Sequence, residues 1–279
     1  MENTQSPLQK YKRQPKLYID LPSQGAWYNN DIAEKYEELE VFSMTANDEI
    51  LAKTPDALIS GNATVKIIQS CIPSIKNAWL LTNADFDYVM AAIRLASFGE
   101  AITLSSKCTS CGNDDAYSLS VQSLLDHAAA FKGTFETRIE DFTFRLRPLT
   151  YKEMVENQQV SMRVRRELAQ IISRTDIDQD KKDELMNSLY EQINTQTENI
   201  ICNVIVDVVT PDGDVESNME FIKDFVINND SVFFNGIQTI YSTNNQELEM
   251  PATEVECSEC QHKQNIKPNL DYSSFFLKV

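Results

Sequence analysis

The chain has 279 residues, 42% of them hydrophobic, and a formal net charge of −17. That length buries a sizeable core in one elaborated domain or two, and no apolar run approaches the roughly 20 residues of a membrane span. The acidity speaks against nucleic acid as a partner, since displacing counterions from phosphates needs a basic footprint.

The first residues, Met1-Glu-Asn-Thr-Gln-Ser-Pro, lack the apolar core of a signal peptide. Residues 1–16 are polar and carry Lys10, Lys12, Arg13 and Lys16, which reads as a mobile basic arm. Leu17 to Leu21 is a short strand, followed by a tight turn at Pro22-Ser-Gln-Gly25, where proline presets one backbone angle and glycine permits a positive φ. Glu38 to Met44 is the next strand. Asn47 is placed to cap a helix from Asp48 to Leu58, and a second helix runs from Asn62 or Ala63 to Cys71. A third, Ala84 to Ser97, has Asn83 as its cap and Gly99 as its left-handed terminator. Cys71 and Cys202 lie among apolar residues at helical spacing and read as buried small hydrophobes.

Next comes the most informative feature of the chain. Cys108-Thr-Ser-Cys111-Gly lies between alternating segments, Ile102 to Ser106 and Tyr117 to Val121, so a turn between strands fits it. Cys257-Ser-Glu-Cys260-Gln lies 145 residues further on between Thr253 and Lys267, again strand–turn–strand. Two residues between cysteines let a knuckle turn both sulfurs toward one ion at about 2.3 Å, and two such pairs supply the tetrahedral set of a structural Zn²⁺. The expectation is that Cys108, Cys111, Cys257 and Cys260 share one Zn²⁺. Two other readings stay open: thiol-redox chemistry, which usually places CxxC at the start of a helix, and two unconnected pairs. The second knuckle lacks the glycine of the first and has Gln261-His262, which makes His262 a minor alternative ligand. Six cysteines, four in such pairs, suit a reducing cytoplasm.

Between the knuckles, Thr134 to Leu149 reads as a hairpin in which Phe142, Phe144 and Leu146 alternate with Thr143, Arg145 and Arg147. Thr150-Tyr-Lys-Glu153 is a capping box that opens a helix to about Ser173. Asp178 to Val209 reads as one long helix, straight or kinked, ended by Pro211-Asp-Gly213. Ser217-Asn-Met-Glu220 is a second capping box for a helix to Asn228, and a last helix runs from Ser231 to Leu248. Residues 151–250 hold 19 acidic residues against 8 basic ones. Such a face keeps a protein soluble or docks a basic partner. The chain ends in Tyr272-Ser-Ser-Phe-Phe-Leu-Lys-Val279, aromatics that need a core or another subunit to cover them.

The expected fold is α+β: a small antiparallel zinc-ribbon-like β module with N-terminal helices, and a large helical insertion between the knuckles. Its divisions are an arm at 1–16, a base at 17–150, the insertion at 151–250, and a second knuckle and tail at 251–279 that complete the base. Little points to catalysis. There are two histidines, His127 and His262, and seven glycines with no phosphate-cradling loop. Asp176, Asp178 and Asp180 do not follow the spacing of a Ca²⁺ loop and read as a helix cap. A four-cysteine zinc leaves no open position for water.

Taken in order, several elements resemble a phage family. They are the Leu21-Pro-Ser-Gln-Gly25 turn with Tyr28, then Met44-Thr-Ala-Asn-Asp-Glu-Ile-Leu51, then the helix ending at Cys71-Ile72. The helix Asp85 to Gly99 follows, carrying Arg94 and ending Ser97-Phe-Gly, then Cys108-x-x-Cys111-Gly, the later CxxC and Phe275-Phe276. This series is similar to the baseplate hub subunit or hub-assembly chaperone proteins of T4-like contractile-tailed bacteriophages. It covers the first third of the chain and its last 30 residues; the second knuckle departs from the usual CxxCG. The resemblance implies a non-enzymatic protein that forms or helps assemble the central hub of the baseplate, contacts other hub or tail-tube proteins in the bacterial host cytoplasm, and either stays in the virion tail or leaves after assembly. The alternatives are a zinc-ribbon adaptor of transcription or RNA metabolism and a thiol-redox protein.

Overall fold

Helices and strands here follow local signals until tertiary pairing overrides them. A computed structural model describes residues 8, 11–28, 31–54, 60–130, 135–174, 176–248 and 252–266. The chain divides into two units: Met1–Lys132 with Met250–Val279, and Gly133–Glu249.

In the first unit, β1 (Leu17–Ile19) pairs antiparallel with β2 (Leu39–Val41), Ile19 opposite Leu39. Leu39 and Val41 are buried while Glu40 between them faces out, as alternation requires. Helix α1 (Ala46–Ala52) is capped by Thr45, not by Asn47. The Thr45 hydroxyl accepts from the Asp48 amide at 3.2 Å, and the Asp48 carboxylate accepts from the Thr45 amide at 2.8 Å. An aspartate at the third position closes the box as a glutamate would. The stretch 55–58 of the expected helix lies outside the described residues. Buried Asp48 also accepts from the Ser70 hydroxyl at 2.9 Å and lies 4.0 Å from Arg13. Arg13 donates to the Ser43 carbonyl at 2.6 Å and sits 5.3 Å from the Phe42 ring centre. The Lys16 amide bonds to Val41. Arg13 and Lys16, at the end of the basic stretch, are thus bonded to the first unit.

Helix α2 (Asn62–Cys71) and helix α3 (Asn83–Phe98) form where expected, although Thr82 is the residue flanking α3 at its start. Gly99 ends α3 at φ +85°. Phe86, Val89, Met90 and Ile93 of α3 are fully buried and, with Ile67 and Ile68 of α2, make the core. Asp85, also fully buried, fastens the Pro22–Gly25 turn to α3. It accepts from the Ser23 amide at 2.9 Å, from the Ser23 hydroxyl, and from the Tyr28 hydroxyl at 2.5 Å. Burial pushes its carboxyl above the ordinary range, against those donors. Helix α4 (Val121–Ala130) is an element that the sequence did not signal; Val121, Leu124 and Leu125 form its buried stripe. It starts directly where a strand ends, with no proline or glycine to mark the change.

In the second unit, β5 (Glu136–Ile139) and β6 (Phe142–Leu146) make the expected hairpin. Helix α5 (Tyr151–Ser173) opens with the Thr150–Glu153 capping box. Helix α6 (Gln179–Asn203) is capped by Asp178, which accepts from the Lys181 amide at 2.8 Å. The long helix expected to reach Val209 stops at Asn203. Ile205–Val209 is instead strand β7, which pairs with β6 on one side and with β8 (Val215–Glu216) on the other. The run Ile-Val-Asp-Val-Val is dominated by β-branched residues, and Asp207 lies opposite Arg145, which donates to it at 2.5 Å. The second unit thus carries a four-stranded antiparallel sheet, ordered β5-β6-β7-β8, and the stretch 151–250 read as helical contributes β7 and β8 to it. Pro211-Asp-Gly213 turns a hairpin between β7 and β8 rather than ending a helix, with Gly213 at φ +91°.

Helix α7 (Met219–Asn228) is capped by Asn218, one residue beyond the expected Ser217, and α8 (Ser231–Leu248) has the expected bounds. Phe142, Phe225 and Phe233 form a cluster with ring centres 4.9–5.4 Å apart. Gly236 of α8 lies so close to Ile139 that a Cβ there would come within 2.8 Å of its Cδ1. Away from that sheet, α5 and α6 share a small core of Val164, Ile171 and Leu189. The aromatic tail Tyr272–Val279 lies outside the described residues.

Candidate metal centre

Two hairpins of the first unit build the site. In the first, β3 (Ala101–Lys107) pairs with β4 (Asp114–Ser120) over seven residues, Lys107 opposite Asp114. In the second, β9 (Thr253–Glu256) pairs with β10 (Lys263–Ile266) over four. Each CxxC occupies the turn, and the two turns are built alike. The Cys108 amide donates to Asn113 at 2.8 Å and the Cys257 amide to His262 at 3.0 Å. The Gly112 amide returns to Cys108 at 2.9 Å and the Gln261 amide to Cys257 at 3.0 Å. The residue after the second cysteine must turn left-handed: Gly112 does so at φ +75° and Gln261 at φ +60°. The departure from CxxCG in the sequence leaves the backbone path unchanged; glutamine adopts the angle that glycine takes more easily.

The structure brings the four predicted ligands together. The sulfurs of Cys108, Cys111, Cys257 and Cys260 all lie within 4.8 Å of one another. Cys108 is 3.6 Å from Cys260, and Cys111 is 3.6 Å from Cys257. A tetrahedral ion with metal–sulfur bonds of about 2.3 Å separates its ligand atoms by about 3.8 Å, so this donor set fits one such ion. Cys108 and Cys257 are buried and Cys111 and Cys260 exposed. The Cys111 and Ser110 amides point at the Cys108 sulfur and hold its thiol down to about 6. At Cys257, against the Cys260 amide, burial and the neighbouring Asp115 and Cys111 side chains push the thiol up to about 12, so the fit to an ion rests on the sulfur spacing. His262, the alternative ligand, is exposed and enters through its backbone carbonyl. Cys71 and Cys202 are buried elsewhere, as expected, and burial beside Asp48 pushes the Cys71 thiol up to about 12.

Four polar residues at the site were not anticipated from the sequence. Asp115 accepts from the Ser258 amide at 2.9 Å and from its hydroxyl at 2.6 Å. These bonds hold the Asp115 carboxyl down to about 2. Gln264 accepts from the Thr109 amide at 2.9 Å and its hydroxyl at 3.2 Å. A signal was there: Asp115 and Gln264 each lie seven residues after the first cysteine of their pair.

Among the described residues no helix is long and apolar enough to cross a membrane. No curated protein and no solved structure matches the chain. A protein-family comparison does match, over residues 32–277, which takes in both knuckles and the whole inserted unit. With that extent of agreement, the chain belongs to the T4 bacteriophage base plate protein family.

Proposed function

We propose that this protein forms, or helps to assemble, the central hub of a contractile-tail baseplate through protein–protein contacts, with Cys108, Cys111, Cys257 and Cys260 holding one structural Zn²⁺. Family membership across both units carries the reading, and the clustered sulfurs give it a physical basis. Four thiolates close the coordination of Zn²⁺ and leave no place for water, so such an ion supplies rigidity and no chemistry. It joins segments separated by 145 residues and so fixes the place where the chain returns from the inserted unit. Assembly takes place in the host cytoplasm, and the partners are other hub or tail-tube proteins. The net charge of −17 accords with protein partners and not with nucleic acid.

Co-expression with hub and tail-tube proteins tests the role. A stable complex through affinity capture and gel filtration is expected; migration alone at every combination would count against it. Mass spectrometry of purified tails separates a resident hub subunit from a chaperone that departs. Elemental analysis of the purified protein should give one Zn²⁺ per chain.

A further inference from the structure

The two hairpins exchange the same bonds in both directions. Thr109 and Ser258 each follow the first cysteine of a pair, and each gives its amide and its hydroxyl to the residue seven places after the first cysteine of the other pair. Ser258 donates to Asp115 at 2.9 and 2.6 Å. Thr109 donates to Gln264 at 2.9 and 3.2 Å, and Gln264 gives its own amide to the Lys107 carbonyl at 3.3 Å. The sulfurs obey the same exchange, since the first cysteine of each pair approaches the last of the other. The geometry points to Asp115 and Gln264 as positioning residues, which hold the two CxxC turns face to face so that four thiolates meet at the spacing of one ion.

The role rests on the reading of the sulfurs as a metal centre. Its physical basis is the weakness of the second hairpin alone. Four residue pairs make a ribbon that is marginal in water, and among the described residues no backbone–backbone bond ties it to the first knuckle. The Thr109 and Ser258 amides lie inside the CxxC turns, so fixing them fixes the direction in which each turn presents its cysteines. Outer partners of this kind commonly change metal affinity by about 10–100-fold.

The test uses the full chain loaded with Zn²⁺, transferred to excess chelator, with release followed by a chromogenic indicator. Asp115→Ala with Gln264→Ala should bind one ion, keep the far-ultraviolet spectrum, and release it at least about 10-fold faster than the parent. Asp115→Asn, which keeps an acceptor for the Ser258 amide, should recover part of the difference. Release within about twofold of the parent overturns the role and leaves the metal centre standing. Should the alanine pair fail to fold, Thr109→Val with Ser258→Ala removes only the hydroxyls. A rate raised about threefold supports the role and an unchanged rate overturns it. A parent chain that binds neither Zn²⁺ nor Co²⁺ removes the metal centre and the positioning role together.

Discussion

Residues 112 and 261 hold equivalent places in two like turns, yet one is glycine and the other glutamine, and this pair offers a measurable asymmetry. A Cβ at Gly112 would meet nothing within 4 Å. The expense of Gly112→Ala is therefore conformational alone: about 1–2 kcal/mol for a left-handed residue with a side chain, less about 0.4–1 kcal/mol because alanine stiffens the unfolded chain, a net of about 1 kcal/mol. Gln261→Gly relieves a similar strain, but glycine gives the unfolded chain extra freedom worth about 0.4–1 kcal/mol. The net gain there is about 1 kcal/mol or less. Hydrogen exchange reads both sites directly, because the amides of residues 112 and 261 close the two turns onto Cys108 and Cys257. Gly112→Ala should lower the protection factor of its own amide about fivefold, by the usual conversion of about 1.4 kcal/mol per tenfold. Gln261→Gly should leave protection within about twofold, or raise it. Unchanged protection in Gly112→Ala would refute the left-handed assignment. A fivefold loss in Gln261→Gly would mean that the glutamine side chain holds the turn in some way that backbone conformation does not explain.

Other outcomes follow from the same structure. Stripping the proposed metal should leave the amides of β9 and β10 nearly unprotected, while those of α5 and α6 keep their protection; equal losses by exchange mass spectrometry would contradict this. Burial works to raise the Glu153 carboxyl, but two bonds from Arg147 at 2.7 and 2.8 Å and the Thr150 amide at 2.8 Å outweigh it and set it below its usual value. The stability it adds is thus present above pH about 4.3 and lost as pH falls through the depressed value. Glu153→Gln should cost about 2 kcal/mol at neutral pH and flatten that acid limb in urea titrations. A Cβ on Gly25, at φ +84°, would collide with the Tyr36 ring, while one on Gly213, at φ +91°, would meet nothing within 4 Å. Gly25→Ala should therefore cost about 3 kcal/mol and Gly213→Ala about 1, measured by denaturant midpoints; equal values would remove the Tyr36 contact.

Much of this was legible because the signals are local. Capping boxes need only four residues, so the start of α5 at Tyr151 and the bounds of α8 could be read directly. The cysteine pairs announce their turns by spacing alone. What escaped depends on distant partners. Ile200, Ile201, Val204, Ile205, Val208 and Val209 fit a helical stripe as well as the end of a helix followed by a strand. Only the presence of β6 opposite Ile205–Val209 decides. Helix α4 has a buried stripe of just three residues. Thr45 competes with Asn47 in the sequence because its box is closed by Asp48, where the usual pattern has glutamate or glutamine. Asp115 and Gln264 gain their meaning only when the hairpins are seen side by side.

The long separation of the two knuckles also sets an order of events during synthesis. At about 5–20 residues per second, the ribosome needs roughly 7–30 s to translate the 145 residues between Cys111 and Cys257. Throughout that interval a nascent chain presents only two of the four sulfurs, too few to retain an ion firmly. The inserted unit has time to fold before the last pair emerges, so the four sulfurs meet only once the second knuckle has been translated. A product terminated before Cys257 would carry half of the cysteine set, and the proposed Zn²⁺ would mark the molecules whose translation passed the second knuckle.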